Sequence, residues 1–171
     1  MKPAAEAPHG FLLVADAGPL IVLGLAGLLA PVAQLHGALA VPAAVLAECL
    51  ERPSLPGAAQ IQAALADGYL QPVLDGKPLV QASSVHGLGA GELAVLAYAQ
   101  AHGLTALVDE RRARSTAQRM GIRIVGSGAL LVALKRATLI PSVGAVLDAW
   151  ATHGYYVAGT VRAALLTAAG E

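Results

Sequence analysis

The sequence predicts an α/β domain in which short apolar strands alternate with helices and assemble into a parallel sheet covered on both faces. Three observations carry that prediction. Residues 11–15, 38–41 and 105–108 are short apolar runs that break off at an acid or a proline, as strands buried on both faces do. Each is followed by a helical stretch opened by Pro or by a change of polarity. The composition agrees: 56% of the 171 residues are hydrophobic, 13% charged and 4% aromatic, enough apolar material for one domain with a real core.

Taken in order, residues 1–10 read as a flexible N-terminal tail and residues 11–171 as a single domain without repeats or linkers. Residues 11–15 form a strand, Asp16 ends it, and Gly18-Pro19 turns into a helix over 20–29. Residues 38–41 form the next strand, and Pro42 starts a second helix containing Val45 and Glu48. Glu48 lies two turns into a segment otherwise apolar over 41–50. A charge there is costly unless it faces water, a partner or a metal, and the neighbouring Glu51 and Arg52 leave the wet side open as an explanation. Residues 52–57 form a loop, 58–66 a helix and 69–74 a strand. Residues 75–84 are turn-rich, and His86 reads as a loop residue rather than a ligand. Gly89-Ala90-Gly91-Glu92 opens a helix over 93–102, without the Gly-Lys-Ser/Thr ending of a phosphate loop. Glu92 in that first turn also suits the helix dipole.

Residues 104–110 then repeat the first motif, a strand running into Asp109 and Glu110. Asp109 at a strand's carboxyl end stands where open α/β sheets place ligands, although an Asp there also serves as a helix cap. The following helix carries Arg111, Arg112 and Arg114 and stops at Gly121. Residues 122–125 form the last strand. Gly126-Ser127-Gly128 leads into a helix over 129–136, Pro141 begins one through Trp150, and 160–169 forms the last.

Bulk properties exclude several classes. The formal net charge is zero, which removes the simplest argument for a nucleic-acid partner. Yet seven of the eleven Lys and Arg residues lie between 111 and 136, either a solvated helix face or a stripe for a phosphate backbone. A single cysteine, Cys49, excludes an internal disulfide and a multi-cysteine zinc site. Residues 11–35 are apolar, but Asp16, Pro19 and Pro31 interrupt them and Gly18, Gly24 and Gly27 weaken them as a membrane span. Lys2 is the sole basic residue before that segment and Glu6 offsets it, so a cytoplasmic protein without a membrane association is expected.

Four acids stand apart from the other seven: Asp16, Glu48, Glu92 and Asp109. In a parallel sheet their places fall on one edge of the molecule. Four carboxylates brought together raise each other's pKa unless a cation neutralises them, and an oxygen-only set suits Mg²⁺ or Mn²⁺. Such a site activates water and clamps phosphodiester oxygens.

The blocks Val14-Ala-Asp16-Ala-Gly-Pro-Leu, Val41-Pro-Ala-Ala-Val-Leu-Ala-Glu48, Gly89-Ala-Gly-Glu92, Val108-Asp109-Glu-Arg-Arg-Ala-Arg114 and Val125-Gly-Ser127-Gly-Ala-Leu-Leu, in this order and spacing, resemble the PIN-domain family of metal-dependent ribonucleases. They are similar in particular to its prokaryotic subgroup related to VapC toxins. The resemblance covers residue 12 to Glu171. It implies a three-layer α/β/α sandwich with a central parallel sheet. It also implies metal ligation by Asp16 and Asp109, completed by Glu48 and Glu92, with Glu110 and Ser127 as auxiliary groups. Two positions depart from the family pattern. Ala17 stands where many members carry a hydroxyl, and Glu92 where other branches carry Asp.

The implied activity is that of a Mg²⁺- or Mn²⁺-dependent endoribonuclease cutting single-stranded RNA, the toxin of a toxin–antitoxin pair. Arg111, Arg112 and Arg114 then hold the RNA backbone. The scarcity of aromatics argues against base stacking as the main grip. A homodimer and an antitoxin are the expected protein partners. A catalytically silent module whose acidic pocket binds an ion or a partner's Arg is the alternative. A phospho-acceptor domain fits less well, because Glu48 and Glu92 have no place in it.

Overall fold

β1 (Leu13–Ala15), β2 (Leu39–Pro42), β3 (Leu70–Val73), β4 (Thr105–Leu107) and β5 (Ile124–Val125) pair side by side in one all-parallel sheet of order β3-β2-β1-β4-β5. The structure, a computed structural model, describes residues 12–75 and 87–171. The expected tail at 1–10, most of the turn-rich stretch and His86 lie outside the described residues. Around the sheet pack α1 (Ala17–Leu25), α2 (Leu29–His36), α3 (Ala43–Leu50), α4 (Ala58–Ala66), α5 (Ala90–His102), α6 (Arg111–Arg119), α7 (Ser127–Arg136), α8 (Val143–Thr152) and α9 (Gly159–Ala169). The fold is the expected three-layer α/β/α sandwich.

The strands earn their positions by burial. Every residue of β1 and β2 is buried, consistent with central parallel strands that meet helices on both faces. β3 is the edge strand beyond β2 and carries Pro72, which an edge tolerates because no neighbour needs its N–H on that side. Leu20, Leu23, Leu39, Ile61, Leu96, Leu107 and Leu130 are almost wholly enclosed between sheet and helices. Burying each such side chain contributes about 1.5–3 kcal/mol.

The chain winds outward from β1 to β3 and then returns to place β4 on the other side of β1. That reversal creates a crevice beyond the carboxyl ends of β1 and β4, the position in open α/β sheets where ligands bind. Asp16 follows β1 directly, and Asp109 follows β4 after Val108.

Several helix boundaries differ from the sequence expectation, α5 for one starting at Ala90 rather than residue 93, and three have a clear cause. The helix expected over 20–29 is two helices. Gly27 adopts a left-handed conformation (φ 69°), its N–H and that of Leu28 bond back to Gly24 and Leu23, and α2 leaves at 115° to α1. That bent pair is the one membrane-span candidate among the described residues. No single described helix is long and apolar enough to cross a membrane. Next, α8 starts at Val143 rather than Pro141, because Ser142 caps it: the Ser142 hydroxyl accepts the Ala145 N–H at 3.1 Å. Finally, α7 starts at Ser127 rather than residue 129, for a reason that belongs to the site.

α9 buries none of its residues fully and is held partly by Glu171. The Glu171 carboxylate accepts from Val143 N (2.7 Å), Gly144 N (2.9 Å) and Ser142 Oγ (2.8 Å), and lies 3.3 Å from Lys135 Nζ. These backbone amides, the open start of α8, hold its pKa down at about 2 from the usual 4.5. A depressed folded-state pKa means that this contribution to stability is present above about pH 4.5 and is lost as pH falls towards 2. Glu171→Gln is therefore expected to lower the melting temperature at neutral pH and to flatten its fall with acid. A variant that melts at the wild-type temperature across that range would remove Glu171 from the clasp.

Candidate active site

Asp16, Glu48, Glu92, Asp109 and Glu110 line one cleft of about 350 Å³, together with Ala17, Gly18, Pro19 and Gly89. Four elements deliver them: Asp16 stands between β1 and α1, Glu48 on α3, Glu92 on the first turn of α5, and Asp109 and Glu110 between β4 and α6. All four acids singled out in the sequence thus face a common space at the crevice, and Glu110 joins them.

Asp16 is the buried member, 7% exposed. It occupies the N-cap position of α1, yet its side chain makes no capping bond. Burial raises its pKa to about 6. The nearby Ala17 amide works against that rise, and the charges of Glu92, Glu48 and Asp109 add to it. Glu92 is raised for the same first reason, burial, with Glu110 and Glu48 adding to it and the Gly89 amide opposing. One oxygen of Glu92 does what a first-turn Glu commonly does: Oε2 accepts the Gly89 N–H at 2.7 Å. The other, Oε1, is buried and has no hydrogen-bond partner among the described residues. An unsatisfied carboxylate oxygen in a pocket of carboxylates is costly unless a cation, or a proton shared with the neighbouring Glu110, completes it.

Asp109 behaves differently. Its Oδ1 accepts Ser127 N at 2.7 Å and its Oδ2 accepts Ser127 Oγ at 2.6 Å. Asp109 therefore does cap a helix, but the helix is α7, eighteen residues away, rather than α6, whose N-cap is Glu110. This long-range cap is why α7 begins at Ser127. It also turns the Asp109 carboxylate toward one orientation, so Ser127 acts through Asp109.

Two glycines make room for these contacts. A Cβ on Gly91 would stand 3.0 Å from Glu48 Oε2, 3.3 Å from Val45 Cγ2 and 3.6 Å from Asp16 Oδ1. A Cβ on Gly126 would stand 3.1 Å from Asp109 Oδ1 and 2.7 Å from Arg114 Nη1. The glycine-rich block before Glu92 was visible in the sequence, but that Gly91 is the surface against which two carboxylates rest was not. Gly91→Ala is expected to displace Glu48 and lower any cleavage rate by about 10- to 100-fold, with the fold retained. Circular dichroism and a cleavage rate decide it, and an unchanged rate would show that the contact is idle.

The arginines separate. Arg111 and Arg112 are exposed on the first turn of α6, beside Glu110 and the cleft, and Arg112 Nη1 lies against Gly87. Cations in a first turn oppose the helix dipole, by about 0.3–1 kcal/mol each when exposed. Arg114 instead turns inward, and its Nη1 donates to the Val108 carbonyl at 3.2 Å. It supports the end of β4 and does not join the exposed pair. Arg123 donates to the Gly103 carbonyl, and Lys135 and Arg136 donate to the carbonyls of Pro141 and Ala168. The basic run in the sequence is therefore not one stripe in space. Cys49, next to Glu48, is buried; burial pushes its thiol up to about 12, which makes it a packing residue.

The donor set is chemically suited to a hard divalent cation, being all oxygen and anionic. Among the described residues, however, no three Asp, Glu, His or Cys side chains converge as the ligands of one metal ion. The fit to a cation therefore rests on the all-oxygen, anionic lining of the cleft and not on a formed ligand group.

A parallel α/β/α sandwich with a carboxylate cleft at its switch point defines the class structurally. A family model for the PIN domain matches residues 12–171, and the chain belongs to that family. PIN domains are in general nucleases, hence hydrolases, and generally use divalent metals. A comparison with curated proteins finds no match.

Proposed function

We propose that the protein is a Mg²⁺- or Mn²⁺-dependent endoribonuclease that hydrolyses phosphodiester bonds of single-stranded RNA, in the VapC-related branch of the family and as the toxin of a toxin–antitoxin pair. One observation carries this reading: Asp16, Glu48, Glu92 and Asp109, drawn from four separate parts of the chain, line a single cleft at the carboxyl ends of β1 and β4. When bound, the cation supplies Lewis-acid activation of water and neutralises charge on the phosphoryl oxygens. Asp16 and Glu92, whose pKa values burial raises, would help hold the cation, and its charge would favour their ionised forms. Glu48 and Asp109 face the same space from the wetter side, Asp109 fixed by Ser127. Arg111 and Arg112 meet the RNA backbone where it leaves the cleft, at an α-helix N-terminus that itself favours an anion. An acidic cleft is equally complementary to a basic side chain of an antitoxin. A homodimer and a cytoplasmic setting belong to the same reading.

The test is cleavage of a panel of fluorescent single-stranded RNAs with Mg²⁺, Mn²⁺ or EDTA. Cutting that needs the metal supports the nuclease. Metal binding without cutting of any member supports the silent module instead.

A further inference from the structure

A second groove, of about 440 Å³, adjoins the acid cleft and shares Asp109 with it. Ser127 and Gly128, at the start of α7, form the part nearest the acids. Trp150, Tyr155, Tyr156 and Val161, from the end of α8, the connection that follows and the first turn of α9, supply much of the remaining apolar wall. The chain contains six aromatic residues, and three of them stand here. The placement is built by the backbone. Gly154 takes a left-handed conformation (φ 83°) that ends α8, and the N–H groups of Gly154 and Tyr155 bond back to Ala151 and Trp150, each at 3.0 Å. Trp150 is thereby buried, 4% exposed, as a fixed wall, whereas Tyr156 is 81% exposed. An exposed Tyr beside an exposed Val161 leaves apolar surface in water next to a highly polar cleft.

We propose that this groove is a base-binding subsite, which seats one unpaired nucleobase of the RNA strand whose phosphate lies in the acid cleft. The proposal rests on the ribonuclease reading above. Among the described residues Asp109 is the only charged one lining the groove, so a phosphate meets no cation among them, while a planar group meets aromatic side chains. Asp109 lines both pockets, and Ser127, which bonds to it, stands on the groove side, so the two adjoin as a base and its neighbouring phosphate require. Aromatics are scarce in this chain as a whole, but they are concentrated where a base would sit.

Tyr156 is exposed and its substitution leaves the core untouched, so Tyr156→Ala and Tyr156→Phe form the test. The probe is a short unstructured oligoribonucleotide labelled at one end, with an abasic oligonucleotide of equal length as control, both followed by anisotropy with Ca²⁺ present to neutralise the acid cleft and with strand integrity checked on a gel. Trp150 is the sole tryptophan, so its emission reports on the groove directly. The intact strand is expected to bind more tightly than the abasic one and to change Trp150 emission. Tyr156→Ala is expected to weaken binding of the intact strand about five- to a hundred-fold, with Tyr156→Phe restoring most of it. Equal affinity for intact and abasic strands, an unaffected Tyr156→Ala, or no binding of the strand at all overturns the proposal. An unaffected Tyr156→Ala is also the outcome if a protein partner fills the groove. The ribonuclease reading is judged separately, by cleavage with metal: cutting unaltered by Tyr156→Ala leaves the enzyme and removes the subsite, and tight base-dependent binding without cutting does the reverse.

Discussion

Asp16→Asn is expected to abolish metal-dependent cleavage and, in the same protein, to raise the stability of the metal-free fold at neutral pH. The carboxyl is 7% exposed, and burial lifts its pKa from 3.8 to about 6. The unfolded chain then releases this proton near pH 3.8 while the folded chain keeps it to about 6. Stability from this group is full below the lower value, falls as pH rises between the two, and stays reduced above the higher one. That shift from 3.8 to about 6 corresponds to roughly 2–3 kcal/mol withheld from the metal-free protein at neutral pH. An uncharged Asn escapes the penalty. Denaturant melts in EDTA at pH about 4 and about 7.5 should show the variant gaining on the wild type only at the higher pH. Cleavage should fall on the order of 10²-fold or more, because a carboxylate in the centre of the cleft is lost. Added Mg²⁺ should stabilise the wild type and do far less for the variant. A variant no more stable than wild type in EDTA at neutral pH would sink the electrostatic account.

That Asp16 and Asp109 would share an edge was legible in the sequence, because each ends an apolar run and parallel strands put such ends together. The strand order that sets them beside the crevice was not, since nothing local distinguishes β4 returning next to β1 from β4 added beyond β3. Gly27 looked like one more weak position in a helix, and its left-handed conformation, which splits α1 from α2, depends on tertiary packing. Arg114 was grouped with Arg111 and Arg112 by proximity in sequence. Three residues after Arg111, it shares that residue's helix face by spacing, and its turn inward to the Val108 carbonyl is a tertiary contact that spacing does not show. Composition counted the aromatics as few, and could not show that Trp150, Tyr155 and Tyr156 gather beside Asp109. Residue chemistry was readable along the chain; which side chains meet across it was readable only where a regular element set their direction.

Asp109→Ala carries the opposite stability sign, and that contrast is the sharpest statement the site makes. Both of its oxygens are engaged by Ser127, so truncation leaves the first N–H of α7 and the Ser127 hydroxyl without their acceptor. The expected cost is about 1–2 kcal/mol, the usual range for a lost N-terminal cap, together with loss of metal-dependent cleavage. Ser127→Ala removes the hydroxyl bond and leaves the amide bond in place. It should therefore cost less, about 0.5–1 kcal/mol, and lower the rate about 10- to 100-fold by freeing the carboxylate to rotate. Because the two residues serve one contact, the Asp109→Ala/Ser127→Ala double variant should be about as stable as Asp109→Ala alone. Chemical melts of the four proteins in EDTA measure this without reference to activity, and fully additive losses would show that Ser127 is not Asp109's partner in solution. With Asp16→Asn stabilising and Asp109→Ala destabilising, the two acids would be separated by cause: one is held in the cleft against the fold's own preference, while the other fastens α7 to the end of β4.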